Sequence, residues 1–156
     1  MSWFKTDSRL IDRDRELLLR AQALAGEPEL DAFLEALRDE QSYRLASRKK
    51  VLDFLQFFEA PERRFEQRRL QQRLGVLLAV LRDLKVFTAI HFLVFPRNQS
   101  ERFCLHPDYF VLEADAGSLE EHAFYLQAEA DLKALVVRGT EAAAAFWRAV
   151  HKTLKF

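Results

Sequence analysis

Cysteine, glycine and proline are all scarce in this chain: one Cys, four Gly and four Pro among 156 residues. A lone thiol, Cys104, closes no disulfide within the chain. Four scattered glycines leave no glycine-rich loop of the kind that cradles phosphates. Long hydrophobic runs are missing as well, and the longest, VFTAIHFLVF at 86–95, is half the roughly 20 residues that a membrane-spanning helix needs. No membrane partner is expected. No basic stretch followed by an apolar run and a small-residue cleavage site opens the sequence, so the expectation is a reducing, cytoplasmic setting.

An excess of one charge is also absent, since 24 Lys and Arg balance 24 Asp and Glu. That balance argues against a protein that coats nucleic acid through its bulk charge. It hides a local pattern. Residues 44–73 carry nine basic against four acidic side chains, whereas residues 1–43 carry six against ten.

What the chain does have is apolar mass: 49% hydrophobic residues, with 14 Phe. Disordered chains lack the apolar surface that offsets ordering entropy, and a chain of this length buries roughly 70% of its unfolded surface. A single domain spanning residues 1–156 is expected, with no cofactor.

The first half, residues 1–85, reads as about four helices. Leu10, Leu17, Leu18, Ala21 and Leu24 form an approximate stripe that Asp14 interrupts, and Gly26 and Pro28 mark a stop and a new start. Leu30, Phe33, Leu34 and Leu37 fall at i, i+3, i+4 and i+7 of a second helix. A third is expected from Ser42 to Phe58, closed by Pro61. In the fourth, Leu70, Leu74, Leu77, Leu81 and Leu84 alternate spacings of four and three, a straight seam for packing within this chain.

After Lys85 the composition shifts toward β-branched and aromatic residues. VFTAIHFLVF, RFCL at 102–105, YFVLEA at 109–114, AFYLQA at 123–128 and KALVVRG at 133–139 read as short strands separated by turn-forming clusters. Residues 119–130 carry a competing signature, because Ser118 and Glu121 make a capping box for a helix. Thr140 opens a terminal helix with Ala143, Phe146, Trp147, Val150 and Leu154 on one face. The expected fold class is α+β: a helical N-terminal half packed with an antiparallel sheet of four to five short strands in residues 86–156, covered by the last helix.

Chemistry-bearing motifs are few. Cys104 and His106 are two apart, but one cysteine and four histidines lack the paired spacing of zinc sites, so no metal is expected. Cys104 reads as a small buried hydrophobe and His91 as a strand residue. PDYFVLEAD at 107–115 does not complete a metal-dependent nuclease motif, because Asp108 and Glu113, five apart, point to opposite faces of one strand. No Gly-x-Ser-x-Gly elbow exists. No catalytic residue is assigned and no enzyme activity is expected.

The candidate surface is basic: Arg44, Arg48 and Lys49 at the start of the third helix, and Arg63, Arg64, Arg68, Arg69 and Arg73 at the start of the fourth. The plainest expectation is that these side chains pair with Glu35, Asp39, Glu40, Glu62 and Glu66. If helices three and four are antiparallel neighbours, the two clusters lie at opposite ends. The expected function is a non-catalytic binding, regulatory or adaptor role through contacts with an acidic protein partner or through self-association. The alternative is a nucleic-acid-binding protein. In that reading Gln41, Ser42, Arg44, Ser47 and Arg48 open a recognition helix, and Tyr43 and Phe65 supply the few aromatics for base stacking.

Overall fold

The structure, a computed structural model, describes residues 2–95, 101–105 and 119–155. Helix α1 spans Ser2–Gln22, α2 Glu27–Glu40, strand β1 Ser42–Arg44, α3 Leu45–Phe57, α4 Arg68–His91, β2 Phe92–Val94, β3 Arg102–Leu105 and α5 Leu119–Leu154. One buried apolar cluster draws on every one of these elements, from Leu17 and Leu18 of α1 to Phe146, Trp147 and Val150 of α5. No helix among the described residues is long and apolar enough to cross a membrane.

The α1–α2 junction follows the sequence signals with one change. Gly26 is the N-cap of α2 in extended conformation (φ −95°), not a left-handed residue closing α1. Its N–H is accepted by the Glu29 carboxylate at 3.0 Å, the return half of a capping box. The left-handed residue is Gln41 (φ 49°), which ends α2 and turns the chain into β1.

Two helix boundaries are corrected. The third helix starts at Leu45, because Ser42–Arg44 is a strand whose Tyr43 stacks on Phe103 of β3 with ring centroids 5.2 Å apart. The fourth helix does not stop near Lys85 but runs to His91. Phe87 and Thr88 are buried beside the leucine seam, and Thr88 Oγ1 donates to the Leu84 carbonyl at 2.8 Å, so the seam continues through a β-branched stretch. Helical packing here overrides β-propensity, which reflects context more than backbone preference.

The largest correction concerns residues 119–154. KALVVRG is not a strand, and AFYLQA takes the helical alternative that stood open for residues 119–130; together with the predicted terminal helix they form one helix of 36 residues. Its buried positions Tyr125, Ala128, Leu132, Val136, Ala143 and Val150 recur at helical spacing across the whole length. Gly139, which reads as a turn, is a packing glycine. A Cβ there would stand 3.0 Å from Leu34 Cδ2 and 3.4 Å from Val80 Cγ1, so its lack of a side chain lets α5 close on α2 and α4.

The sheet among the described residues therefore has three strands, not four or five, in the antiparallel order β1-β3-β2. Tyr43 faces Phe103 in one ladder and Phe92 faces Leu105 in the other. α+β describes the chain, with helices dominating. The expected strand YFVLEA and the expected turns at 106–108 and 115–118 lie outside the described residues.

Candidate interaction surface

Helices α3 and α4 run antiparallel. Arg48, one turn into α3, donates from Nε to Thr88 Oγ1 at 3.0 Å and from Nη2 to the Lys85 carbonyl at 3.1 Å, near the C-terminal end of α4. Arg68 at the other end of α4 is 17 residues from Lys85, roughly 25 Å at 1.5 Å per residue. The two basic clusters are therefore separated, and no single basic face joins them.

Their fates differ. Arg48 also lies over the Tyr43 ring, 5.7 Å from its centroid, so its charge is folded back onto the protein. Lys49 pairs with Asp53 at 2.9 Å, one helical turn away. Arg63 lies 4.4 Å from the centroid of the Phe57 ring and donates to the Phe57 carbonyl at 3.2 Å. Arg44 is exposed just before α3. Arg64, Arg68, Arg69 and Arg73 are exposed, and none of them forms an ion pair among the described residues.

The acidic partners expected for them are engaged elsewhere or stand apart. Glu66 binds Arg13 at 2.7 Å, Asp39 binds Arg38 at 2.8 Å, and Glu40 lies 3.8 Å from Arg102. Glu35 and Glu62 pair with none of the cluster. Four guanidinium groups on the α3–α4 connection and the first turns of α4 thus remain solvated.

The residue that positions this surface is Asp14, which the sequence shows only as a break in an apolar stripe. It is fully buried, and its carboxylate accepts the backbone N–H groups of Glu66 at 2.9 Å and Gln67 at 3.1 Å. Gln71 adds a clamp by accepting the Phe65 N–H at 2.8 Å. These bonds fix the chain leading into α4, so Arg64 and Arg68 border one groove of about 710 Å³ that Gln71 and Gln72 also line. Burial lifts the Asp14 pKa above the ordinary carboxylate value, while the two N–H donors oppose that shift.

The recognition-helix geometry does not form. Gln41 is held at the end of α2, donating from Nε2 to Glu129 at 2.9 Å and accepting from Tyr125 Oη at 3.1 Å. The Gln41 hydrogen bond is the main cause of a lowered Glu129 pKa. Ser42 and Tyr43 are buried in β1, and Phe65, the other aromatic suited to stacking, is 4% exposed. Both rings face the core and present no platform for bases.

Among the described residues, no group of three His, Cys, Asp or Glu side chains is arranged to hold a metal ion. Cys104 is half-buried rather than buried, with its thiol 3.8 Å from the Phe95 carbonyl; burial raises its pKa, which makes it a poor nucleophile. His106 lies outside the described residues. His91 ends α4 and packs on Phe87 with ring centroids 4.4 Å apart, instead of sitting in a strand.

Comparison with protein-family models, curated proteins and solved structures finds no significant match. The chemistry of the surface is therefore read from its own residues: guanidinium forks beside the N-terminus of a long helix, where the helix dipole also favours an anion.

Proposed function

We propose that this chain is a non-catalytic binding module that engages an acidic protein partner through Arg64, Arg68, Arg69 and Arg73. The observation that carries the reading is that these four arginines are exposed and form no ion pair among the described residues, while their neighbours Arg48, Lys49 and Arg63 are spent on internal contacts. Guanidinium groups recognise carboxylates bidentately, and a cluster confined to the α3–α4 connection and the first turns of α4 matches a short acidic segment. Nucleic acid is the second reading. Two observations make it the weaker one: the surface offers no stacking aromatic, and four arginines fall short of the roughly six to ten phosphate contacts of a strongly salt-dependent duplex binder.

Fluorescence anisotropy tests the choice. A labelled Asp/Glu-rich peptide, single-stranded DNA, duplex DNA and RNA are titrated with the purified protein at low salt, with and without Arg64→Glu and Arg68→Glu together. The proposal expects peptide binding that falls at least tenfold in a folded double variant. Tighter binding of any nucleic acid, lost in the same variant, would replace it with the second reading. No binding of either class at micromolar protein would remove the arginine surface as a general acid-recognition site.

A further inference from the structure

Helix α4 carries a second stripe that neither the core nor the arginine surface uses. Val76, Ala79, Asp83, Val86 and Ile90 repeat at spacings of three and four, and at about 100° per residue they lie on the side of α4 opposite the Leu70–Leu84 seam. Val76, Val86 and Ile90 are 56%, 57% and 65% exposed. Their placement needs a cause beyond helix formation, because β-branched side chains lose rotamer freedom in a helix and leave apolar surface in water. The stripe sits along one helix whose other sides are packed against α3 and α5, so its apolar groups form one narrow ridge.

We propose that this ridge pairs with the same ridge of a second copy of the chain, with the two α4 helices antiparallel and the two-fold axis beside Asp83. The pattern is self-complementary about that residue. Val76 and Ile90 stand seven residues to either side, so each meets the other across the axis, while Ala79, four residues before it, and Val86, three after it, fall within one residue of the same register. An interface of this isologous kind requires such reciprocity. The charges also fit a second copy. Asp83 pairs with Arg138 of α5 at 3.3 Å, both about half exposed, so each copy brings one anion and one cation to the axis, where Asp83 of one can engage Arg138 of the other. Direction follows from the arginines. Parallel helices would stack Arg68, Arg69 and Arg73 on their own copies, whereas antiparallel helices put the two basic ends on opposite sides of the axis, with the two Arg68 residues roughly 45 Å apart at 1.5 Å per residue. Dimerisation leaves both arginine surfaces open, and the two proposals stand separately.

Sedimentation velocity of the full chain from 1 to 200 µM tests the pairing. The expected result is a concentration-dependent shift from monomer to twice the monomer mass. Val86→Glu with Ile90→Glu should weaken association at least tenfold while circular dichroism and the melting temperature, both taken at a concentration where wild type is monomeric, stay at the wild-type values. Arg64→Glu with Arg68→Glu should leave it unchanged. A monomer across the whole range overturns the proposal. Should the glutamate variant fail to fold, cysteine cross-linking in a Cys104→Ser background decides the geometry. Asp83→Cys should oxidise to a covalent dimer, Val76→Cys alone should not, and Val76→Cys combined with Ile90→Cys should. Cross-linking through Val76→Cys alone, without cross-linking through Asp83→Cys, overturns the antiparallel register.

Discussion

Asp14 of α1 accepts the backbone N–H of Gln67, the N-cap of α4, at 3.1 Å across 53 positions of sequence. A buried carboxylate thus holds the entry to the helix that carries both proposed surfaces. Asp14→Ala leaves the N–H groups of Glu66 and Gln67 without their partner, and it should destabilise the fold by about 1–3 kcal/mol. Urea unfolding measures the loss. An unchanged midpoint would show that water replaces the carboxylate at no cost.

The same residue gives a pH dependence of definite sign. Its pKa in the folded protein lies above the ordinary value of 3.8, chiefly because burial disfavours the charged form. The folded state therefore binds this proton more tightly than the unfolded state does. The contribution of Asp14 titration is complete below the unfolded pKa and is lost as pH rises through the folded pKa. The stability difference between wild type and Asp14→Asn should accordingly narrow as pH increases from about 3.5 to 7. A difference that widens over this range contradicts the direction of the shift.

Leu77 tests the seam that anchors α4. Its side chain is fully buried between the helices, so Leu77→Ala should cost about 2–5 kcal/mol through lost transfer energy and the cavity left behind. Thermal and denaturant unfolding report the change; a melting temperature equal to wild type would remove the leucine seam from the core.

Two glycines should respond with opposite signs. Gly75 lies within α4 with nothing within 4 Å of an added Cβ, so Gly75→Ala should stabilise by about 1 kcal/mol through helix propensity. Gly139→Ala meets Leu34 at 3.0 Å, and the Leu34, Val80 and Leu84 side chains around it are themselves buried. Overpacking there should outweigh the same propensity gain and destabilise by about 1–3 kcal/mol. Stabilisation by both substitutions would show that α5 can move away from α2.

Arginines of the two basic clusters should also divide. Arg48→Ala removes two hydrogen bonds to the end of α4 and the contact with the Tyr43 ring, a loss of about 1–2 kcal/mol. Arg64→Ala and Arg68→Ala, on exposed side chains that form no ion pair among the described residues, should stay within about 0.5 kcal/mol of wild type. Equal losses at all three positions would mean that Arg64 and Arg68 are structural as well.

Periodicity made α2, the leucine seam of α4 and the final turns of α5 legible, because a helix that buries one face must repeat its apolar residues at that face. The same reasoning failed at residues 86–91 and 123–139, where β-branched and aromatic residues resemble strands. There the neighbouring helix faces supply the burial and make the α-helix the better-packed state. Gly139 shows the limit most directly. A glycine is equally apt for a turn and for close helix contact, and only the position of Leu34, 105 residues earlier, separates the two.

The site was legible as a composition and not as a geometry. Sequence by itself determined that positive charge gathers between residues 44 and 73 and that the chain has the apolar mass for a core. Tertiary structure decided which charges stay available. It turned Arg48 onto Thr88, laid Arg63 over Phe57, gave Glu66 to Arg13 and buried Asp14 beneath the start of α4. The physical reason is range. Backbone propensity and helical period act over a few residues and are written locally, whereas ion pairing, desolvation and close packing depend on groups that folding alone brings within a few ångströms.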